Sequence, residues 1–551
     1  MNEITVKFPD GVSIQCPYGM RVETLVDRFG PLPHTLVAVR GNNEVIPLST
    51  RLEVNVELKP VTLESSEGTM IYRRSLAFLL AVAARELFPD RSLVIGHSLG
   101  NGYFYAFKND KSLEEGELEA LDARMREIVK ADYPIAFRYQ SYADALATFQ
   151  KNGQTDTAIL MEQLNDAKVP VNECRGFMDL SVATLVPRTS VLKIFELRAY
   201  ETGFLLRYPG KNGSNEIAPF EDSPRIFSVY KEYKKWGRIV GISSVGDIND
   251  LVNRREIKSF IQISEAFQNK KLSEVADQIF ALRDKVRVIL IAGPSSSGKT
   301  TTAKRLSIHL KVMGLEPLAI SLDDYYLGVE NTPKDEKGQP DFECLEALDV
   351  PYLNEQLLAL FRGDEIELPI FDFKSGARKS GGKKIKLGRR SVVVIEGIHG
   401  LNDKLTAQIE RDMKFKVYVS ALTQLNLDDH NRIPTSDNRL LRRMVRDYQF
   451  RGSTAANTIR MWPSVQAGEK KHIFPFQDGA DVAFNSALDY ELAILKVYAE
   501  PLLRSVKPTM DQYAEASRLL SFLDNFAPVP PQYVPGQSIL REFIGESEFK
   551  Y

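Results

Sequence analysis

The sequence has little cysteine, no long apolar run and almost no net charge, and each shortage removes a class of protein. Cys16, Cys174 and Cys344 are the only cysteines in 551 residues. Far apart and without CxxC spacing, they supply neither a disulfide framework nor a structural zinc site, and they fit a reducing cytoplasm. The longest apolar stretch, LAFLLAVAA, is far short of the roughly 20 residues that span a bilayer and reads as a buried helix. The opening MNEITVKFPDG lacks a basic-then-apolar signal pattern. A net charge of −2 gives no overall attraction to nucleic acid or anionic lipid, so any polyanion site is local. The sequence carries no internal repeat or low-complexity tract. What is present, 43% hydrophobic and 26% charged residues, is the composition of globular protein, with length for about three or four domains.

Residues 1–60 alternate in short strand-like runs, EITVKF, VSIQC, TLVAVR and LEVNVELK, around PDG and RGNN turns, with one helical stretch near RVETLVDRFG. This predicts a small α+β module. A second segment, 61–240, opens with the helical MIYRRSLAFLLAVAARELF, apolar at steps of three and four. Residues 241–284, largely helical and polar from 247 on, read as a linker. From VRVILIAG the pattern is β-α-β, as in an α/β domain, here bounded at 285–506. The final stretch, 507–551, combines an amphipathic helix, a proline-punctuated extended part and a short last helix, with no chemical role legible in it.

The motif that carries chemistry is GPSSSGKT, Gly293 to Thr300. It follows an apolar strand and opens a helix-compatible run, the context that distinguishes a phosphate-binding loop from a chance match. Its glycines let backbone N–H groups approach phosphate, the helix start adds positive potential, Lys299 neutralises transferring oxygens, and the Thr300 hydroxyl can ligate Mg²⁺. The expected nucleotide contacts run through Gly293, Ser295, Ser296, Ser297, Gly298, Lys299, Thr300 and Thr301. SVVVIEG reads as a central parallel strand, β-branched from 392 to 395, that places Glu396 at its C-terminal end as the second metal partner. LAISLDDYY ends a further strand in Asp323 and Asp324. Asp323 can serve as the base that takes the acceptor hydroxyl's proton, as part of the Mg²⁺ shell, or as both. In RLLRRMVRDYQFRG, five arginines lie between 439 and 451. Their planar forks suit phosphate under a closing lid, a role read for Arg446 and Arg451, whereas Arg442 reads as part of a solvated basic face.

GPSSSGKT, SLDDYY, DFECLEALDV, LPIFDFKSGARK, VVVIEGIHG and RRMVRDYQFRG resemble, in this order, the motifs of the uridine kinase and phosphoribulokinase family. The resemblance implies an ATP- and Mg²⁺-dependent kinase with Asp323 as catalytic aspartate and Lys299 and Thr300 as phosphate and magnesium residues. It also implies Glu396 as the strand-end acid, Arg446 and Arg451 as lid arginines and Arg443 as a nucleoside contact. Tyr326, Glu343 and Phe371 fall where the family holds the acceptor. The base-reading tyrosine and histidine of uridine kinases are matched by Phe371 and Gly376, a glutamine by Met461 and the lid's last arginine by Ser453, so the base is read differently here. KSGARKSGGKKIKLGRR, residues 374–390, carries eight basic and no acidic side chains. It reads as a solvated hairpin beside the acceptor site, with an anion or RNA contact as the alternative.

The first sixty residues resemble the β-grasp TGS domain of threonyl-tRNA synthetases. IYRRSLAFLLAVAARELFPD, VIGHSLGNGYFY and FMDLS resemble that enzyme's second domain. Its editing HxxxH and CxxxH positions are here Arg74, Phe78, Ser181 and Leu185, which cannot build a metal or hydrolytic centre. His97 stands alone near this cleft and reads as a satisfied polar residue. The implied fold is multidomain α/β and α+β: a TGS-like β-grasp, a synthetase-like α+β domain, and a P-loop kinase whose parallel sheet is flanked by helices. The implied activity is phosphorylation of a nucleoside 5′-hydroxyl in the cytoplasm, by a homo-oligomer free of membrane. The alternatives are a kinase for a sugar phosphate or another small alcohol, and a nucleotide-regulated RNA- or ribosome-associated binding protein.

Overall fold

The computed structural model of the protein describes residues 3–108, 113–210, 216–334, 338, 340–372, 377–379 and 381–551. They form two compact units, one of Met1–Arg255, Gln424–Pro434 and Glu500–Pro528, the other of Glu256–Thr423, Thr435–Ala499 and Val529–Tyr551.

In the first unit the alternating runs near the start pair into a five-stranded sheet, in the order Ser13–Pro17, Glu3–Lys7, Val56–Thr62, Leu36–Gly41 and Glu44–Ile46. Ile4 and Val6 turn inward while Glu3 and Lys7 face water, as a two-residue period requires. Val22 and Leu25 of the helical turn Val22–Phe29 close over the same core. The strand read from LEVNVELK begins only at Val56. Before it, the side chain of Asn55 accepts the Thr5 amide at 2.8 Å and takes the place of a backbone partner.

The helix Ser66–Leu87 starts where the Ser65 hydroxyl accepts the Gly68 amide at 3.0 Å. Its apolar residues pack on a four-stranded antiparallel sheet, ordered Glu196–Tyr200, Gly203–Arg207, Gly102–Phe107, Leu93–Leu99. A three-stranded sheet joins Phe177–Leu180, Lys168–Cys174 and Ala136–Ser141. The segment Gln424–Pro434 winds around Asp428, whose carboxylate accepts the amides of His430 and Asn431 at 3.0 and 2.8 Å. His430 Nδ1 lies 3.2 Å from Asp179. Asp429 accepts the Thr157 amide at 3.0 Å and faces Lys108 at 2.7 Å.

The second unit is built on a parallel sheet in the order Glu316–Ser321, Ser391–Glu396, Val288–Ala292, Lys414–Ser420, Val482–Asn485. Its three middle strands are buried nearly throughout; Val288–Ala292 and Ser391–Glu396 read as continuous apolar runs, whereas Lys414–Ser420 also buries Lys414 and Lys416. Starting from Val288–Ala292, the next two strands in the chain add on one side and the last two on the other. The direction of growth thus reverses at this strand, and its C-terminal end opens the crevice where such sheets hold ligands.

The helix Ile257–Ala281 is polar in composition yet buries Ile261, Leu272, Ala276 and Ile279, and its Gln268 accepts from Arg305 at 2.6 Å. The C-terminal stretch divides between the units. Leu519 and Leu523 of Tyr513–Asp524 are buried and belong to the first, Leu540 and Phe543 to the second. No described helix is long and apolar enough to cross a membrane.

The Gln424–Pro434 segment yields a pH prediction. Burial alone would lower the pKa of His430, but the charge and hydrogen bond of Asp179, with Asp429 and Asp428 adding to them, push it up to about 9. The His430 contribution to stability is therefore complete below its unfolded pKa and lost as pH rises through 9. Burial, then Asp179, pushes the Asp428 carboxyl up to about 8, so stability also falls as pH rises from its unfolded pKa to about 8 and not beyond. We expect the first unit to lose about 1–3 kcal/mol between pH 6.5 and 9. Calorimetric melting at the two pH values checks this, and His430→Asn should flatten the slope.

Candidate active site

At the end of Val288–Ala292 the chain enters a turn that only particular residues permit. A Cβ on Gly293 would sit 1.9 Å from the Val419 carbonyl oxygen. Gly298 has φ +83° and Ser296 φ +58°, both in the left-handed region. The turn delivers the chain into the helix Lys299–Val312, with Ser296, Ser297, Thr301 and Thr302 buried at the join. Lys299 Nζ folds back to donate to the Pro294 carbonyl at 3.1 Å. Burial lowers its pKa, and the carboxylates of Glu396, Asp323 and Glu542 oppose that effect.

Register brings the acids to this level. Ser321 lies opposite Glu396, and Glu396 opposite Ile291, at the C-terminal ends of adjacent strands. The hydroxyls of Thr300 and Ser321 donate to one Glu396 oxygen at 3.2 and 3.3 Å. Burial, then the charge of Asp323, pushes the Glu396 carboxyl up to about 7. Asp323 sits in the helical turn Leu322–Tyr325 directly after the neighbouring strand, close enough for its charge to act on Lys299, Glu396, Tyr326 and Arg451.

Among the described residues no group of three or more His, Cys, Asp or Glu side chains forms a cage for a metal. Mg²⁺ does not need one, since it is held by one or two carboxylates together with waters and substrate phosphates. The Thr300 hydroxyl on Glu396, with Asp323 near enough to raise the Glu396 pKa, fits that donor set.

The arginine helix Thr435–Arg451 divides its side chains between two tasks. Arg439 forks onto Glu469, at 2.7 Å from Nη2, and donates to the Ser295 carbonyl at 3.0 Å, while Glu469 accepts the Ser295 amide at 2.8 Å. Arg442 is fully buried. It pairs with Glu491 and donates to the carbonyls of Ser486 at 2.9 Å and Ser296 at 3.3 Å. The expectation of a solvated Arg442 is thereby corrected. Its helical position faces the phosphate loop, and the partner that neutralises it is 49 residues away.

Arg443, Arg446 and Arg451 instead gather on the single carboxylate of Asp447, at 3.2, 2.8 and 3.7 Å. Arg446 lowers the pKa of Arg451, and burial lowers that of Arg443. Around them stand further carboxylates, Glu343 and Glu469 toward Arg443 and Asp323 toward Arg451. Arg443 also donates to the Ser295 hydroxyl at 2.8 Å, which puts it on the loop itself.

Beyond Asp323, the Tyr326 ring packs against Phe371 and Phe342 at 5.7 and 6.0 Å. Its hydroxyl donates to the Phe342 carbonyl at 3.2 Å. Asp324 accepts the Phe371 amide at 3.2 Å. Glu343 is pushed up to about 7 by burial and then Glu469, against the opposing charges of Arg443 and Lys299. In the basic hairpin, Arg378 is spent on Asp349 at 2.9 Å and on the carbonyls of Tyr325 and Tyr326, and Lys379 pairs with Asp372 at 2.5 Å. Residues 373–376, with Gly376, lie outside the described residues. Met461 is exposed, and Ser453 binds Asn457 at 2.9 Å.

In the first unit, Phe78 is buried with its ring 5.7 Å from Phe177, and Leu185 packs on the same core, so two of the four altered positions serve packing. Ser181 donates its amide to Pro170. His97 stacks on Tyr230 at 5.8 Å, with Nδ1 buried and unpartnered. Burial, then Arg432, lowers it to about 3, so it stays neutral at physiological pH.

Sequence reasoning missed Glu469, Glu491 and Glu542. Each is an isolated glutamate in an otherwise ordinary helical stretch, and only its partner gives it meaning.

Residues 288–493 match the Phosphoribulokinase / Uridine kinase family. Over its N-terminal half the chain is similar to curated threonine–tRNA ligases. It is 33% identical over 198 residues to that of Geobacter sp. (strain M21), covering 36% of this chain and 31% of the relative. Identity is 30% over 263 residues to that of Francisella tularensis subsp. novicida (strain U112), covering 46% and 40%. The chain therefore spans less than half the length of these curated relatives. Similar solved structures include a possible uridine kinase from Bacillus stearothermophilus, 21% identical over 39% of this chain and 98% of that one, TM-score 0.27. Another is D-glycerate 3-kinase from Cryptococcus neoformans var. grubii serotype A, 18% identical over 46% and 87%, TM-score 0.22. The match to this kinase family thus lies in residues 288–493, which hold the parallel sheet and the phosphate-binding turn.

The arginine pairs make a stability prediction. Arg442→Ala leaves the Glu491 charge buried with only the Asn438 amide donating to it and should cost about 3–5 kcal/mol, read as a lower denaturant midpoint. Arg442→Met combined with Glu491→Leu removes both charges and should recover most of that loss.

Proposed function

We propose that the second unit transfers the terminal phosphoryl group of ATP to the 5′-hydroxyl of a nucleoside. The supporting observation is the convergence at one strand-end crevice of a phosphate loop, two carboxylates and an arginine cluster. In this reading the loop amides and Lys299 hold the donor phosphates, and the Thr300 hydroxyl with Glu396 and Asp323 holds Mg²⁺, which when bound offsets charge on the phosphate oxygens. Asp323 accepts the proton of the attacking hydroxyl. Arg446 and Arg451 meet the charge that develops on the transferring group. Lys299 must leave the Pro294 carbonyl to reach a phosphate, a short swing of a flexible stem.

The neighbourhood of Tyr326 supports a neutral acceptor over a sugar phosphate. Three aromatic rings stand together with the carboxyl groups of Asp323, Asp324 and Glu343; of the cations that reach them, Arg378 is committed to Asp349 and two carbonyls, and Arg443 and Arg451 are the ones assigned to the loop and the transferring group. Rings suit a base or sugar face, and carboxylates repel a phosphorylated acceptor. Tyr326, Phe371 and Glu343 are the proposed acceptor contacts. Arg443, bound to Ser295 and Asp447, is better suited to organising the loop than to touching a base. The five-part division at 60, 240, 284 and 506 stands as our proposal for the domains. For the first unit we propose no hydrolysis of aminoacyl-tRNA, because Arg74, Phe78, Ser181 and Leu185 offer no nucleophile-activating or metal-binding set.

Asp323→Asn should lower kcat by about 10²- to 10⁴-fold with little change in ATP affinity. Near-normal turnover would exclude Asp323 as the base. A screen of nucleosides against sugar phosphates with the full chain should show turnover with the former, and preference for a sugar phosphate would reverse the choice of acceptor.

A further inference from the structure

The last residues of the chain end on the phosphate loop helix. Glu542 lies in the short turn Arg541–Ile544, anchored by the buried Leu540, Phe543 and Ile544. Its carboxylate accepts the Thr301 amide at 3.1 Å and the Thr301 hydroxyl at 2.6 Å. The Tyr551 hydroxyl lies 2.8 Å from the same Thr301 oxygen, and its ring stands 4.3 Å from Lys304 Nζ, which also donates to the Lys550 carbonyl. Ile539 closes over Gly298, where an added Cβ would meet it at 2.5 Å.

The Thr301 amide is the third N–H of the helix Lys299–Val312, one of those without a partner inside the helix. It stands at the positive end of the helix, where an anion is favoured. One N–H makes one good hydrogen bond, so a carboxylate and a phosphate oxygen exclude each other there. A plain helix cap would not need a charge at this point. Glu542 brings a further carboxylate to a place where Asp323 already acts on Glu396, and its charge reaches both Glu396 and Lys299. A hydroxyl or amide would cap as well without that repulsion.

We propose that Glu542, supported by Tyr551, is an internal competitor of the nucleotide. Its carboxylate occupies the Thr301 donors in the free protein, and a nucleoside di- or triphosphate binds by displacing the C-terminal turn. The proposal rests on the reading that this loop binds nucleotide.

The test is calorimetric titration of ATP and of ADP, each with Mg²⁺, into the full chain and into Glu542→Gln and Tyr551→Phe. Glu542→Gln should tighten nucleotide binding about five- to thirtyfold. Tyr551→Phe, at an exposed terminal residue, should tighten it by a smaller factor, and KM for ATP should fall in both while kcat holds. Unchanged or weaker binding in both variants overturns the proposal and makes the turn a cap or a part of the nucleotide site. Hydrogen exchange on the unaltered chain gives a second reading that needs no variant. Saturating ATP should raise exchange across residues 541–551, and increased protection there overturns the proposal. If no form of the chain binds ATP or ADP, the nucleotide reading of the loop itself fails, an outcome distinct from binding that ignores Glu542.

Discussion

The second unit depends on holding a strained, polar turn still at the end of a buried strand. A backbone that presents its N–H groups to an anion cannot satisfy them within itself, and the turn from Gly293 to Gly298 has two residues in the left-handed region. Its carbonyls are instead tied down by two buried arginines, Arg439 on Ser295 and Arg442 on Ser296, each neutralised by its own glutamate. Buried pairs of this kind add little net stability, because desolvation offsets attraction. Here they act on geometry: the Arg439 fork joins the loop to the helix Ala455–His472, and the Arg442 fork joins it to the strand end at Ser486.

On that fixed base, like charges are gathered on two sides of the crevice. Toward the arginine helix, three guanidiniums share Asp447. Toward the neighbouring strand ends, Asp323 and Glu396 are close enough to raise the Glu396 pKa, and Glu343 is raised likewise by burial and Glu469. Neither side is comfortable alone. In the function proposed above, an anionic phosphate chain would relieve the first, and a divalent cation or a transferred proton the second. Glu542 on the Thr301 amide is the same logic met from within the chain, a carboxylate standing where the helix end favours negative charge.

In the first unit Phe78 and Leu185 serve hydrophobic packing. Two buried titratable groups there are held by hydrogen bonds: His430 lies beside Asp179, and Asp428 accepts the amides of its own loop.

Much of this is legible in the chain itself. GPSSSGKT between an apolar strand and a helix, Glu396 after four β-branched residues, and Asp323 after LAIS are patterns in which neighbours in sequence are neighbours in space. Local conformation is set by local residues, so the amino-acid order alone reveals the loop, both strand-end acids and the strand and helix pattern around them. It does not reveal the roles of Arg442, Glu469 and Glu542. Thr301 and Glu542 are 241 residues apart and Arg439 and Glu469 are 30 apart, with no spacing rule to join them. A charged side chain on a polar helix looks the same in sequence whether it faces water or a buried carboxylate. Only the packed tertiary structure decides which, because the partner that makes burial of a charge tolerable comes from a part of the chain that folding alone brings near.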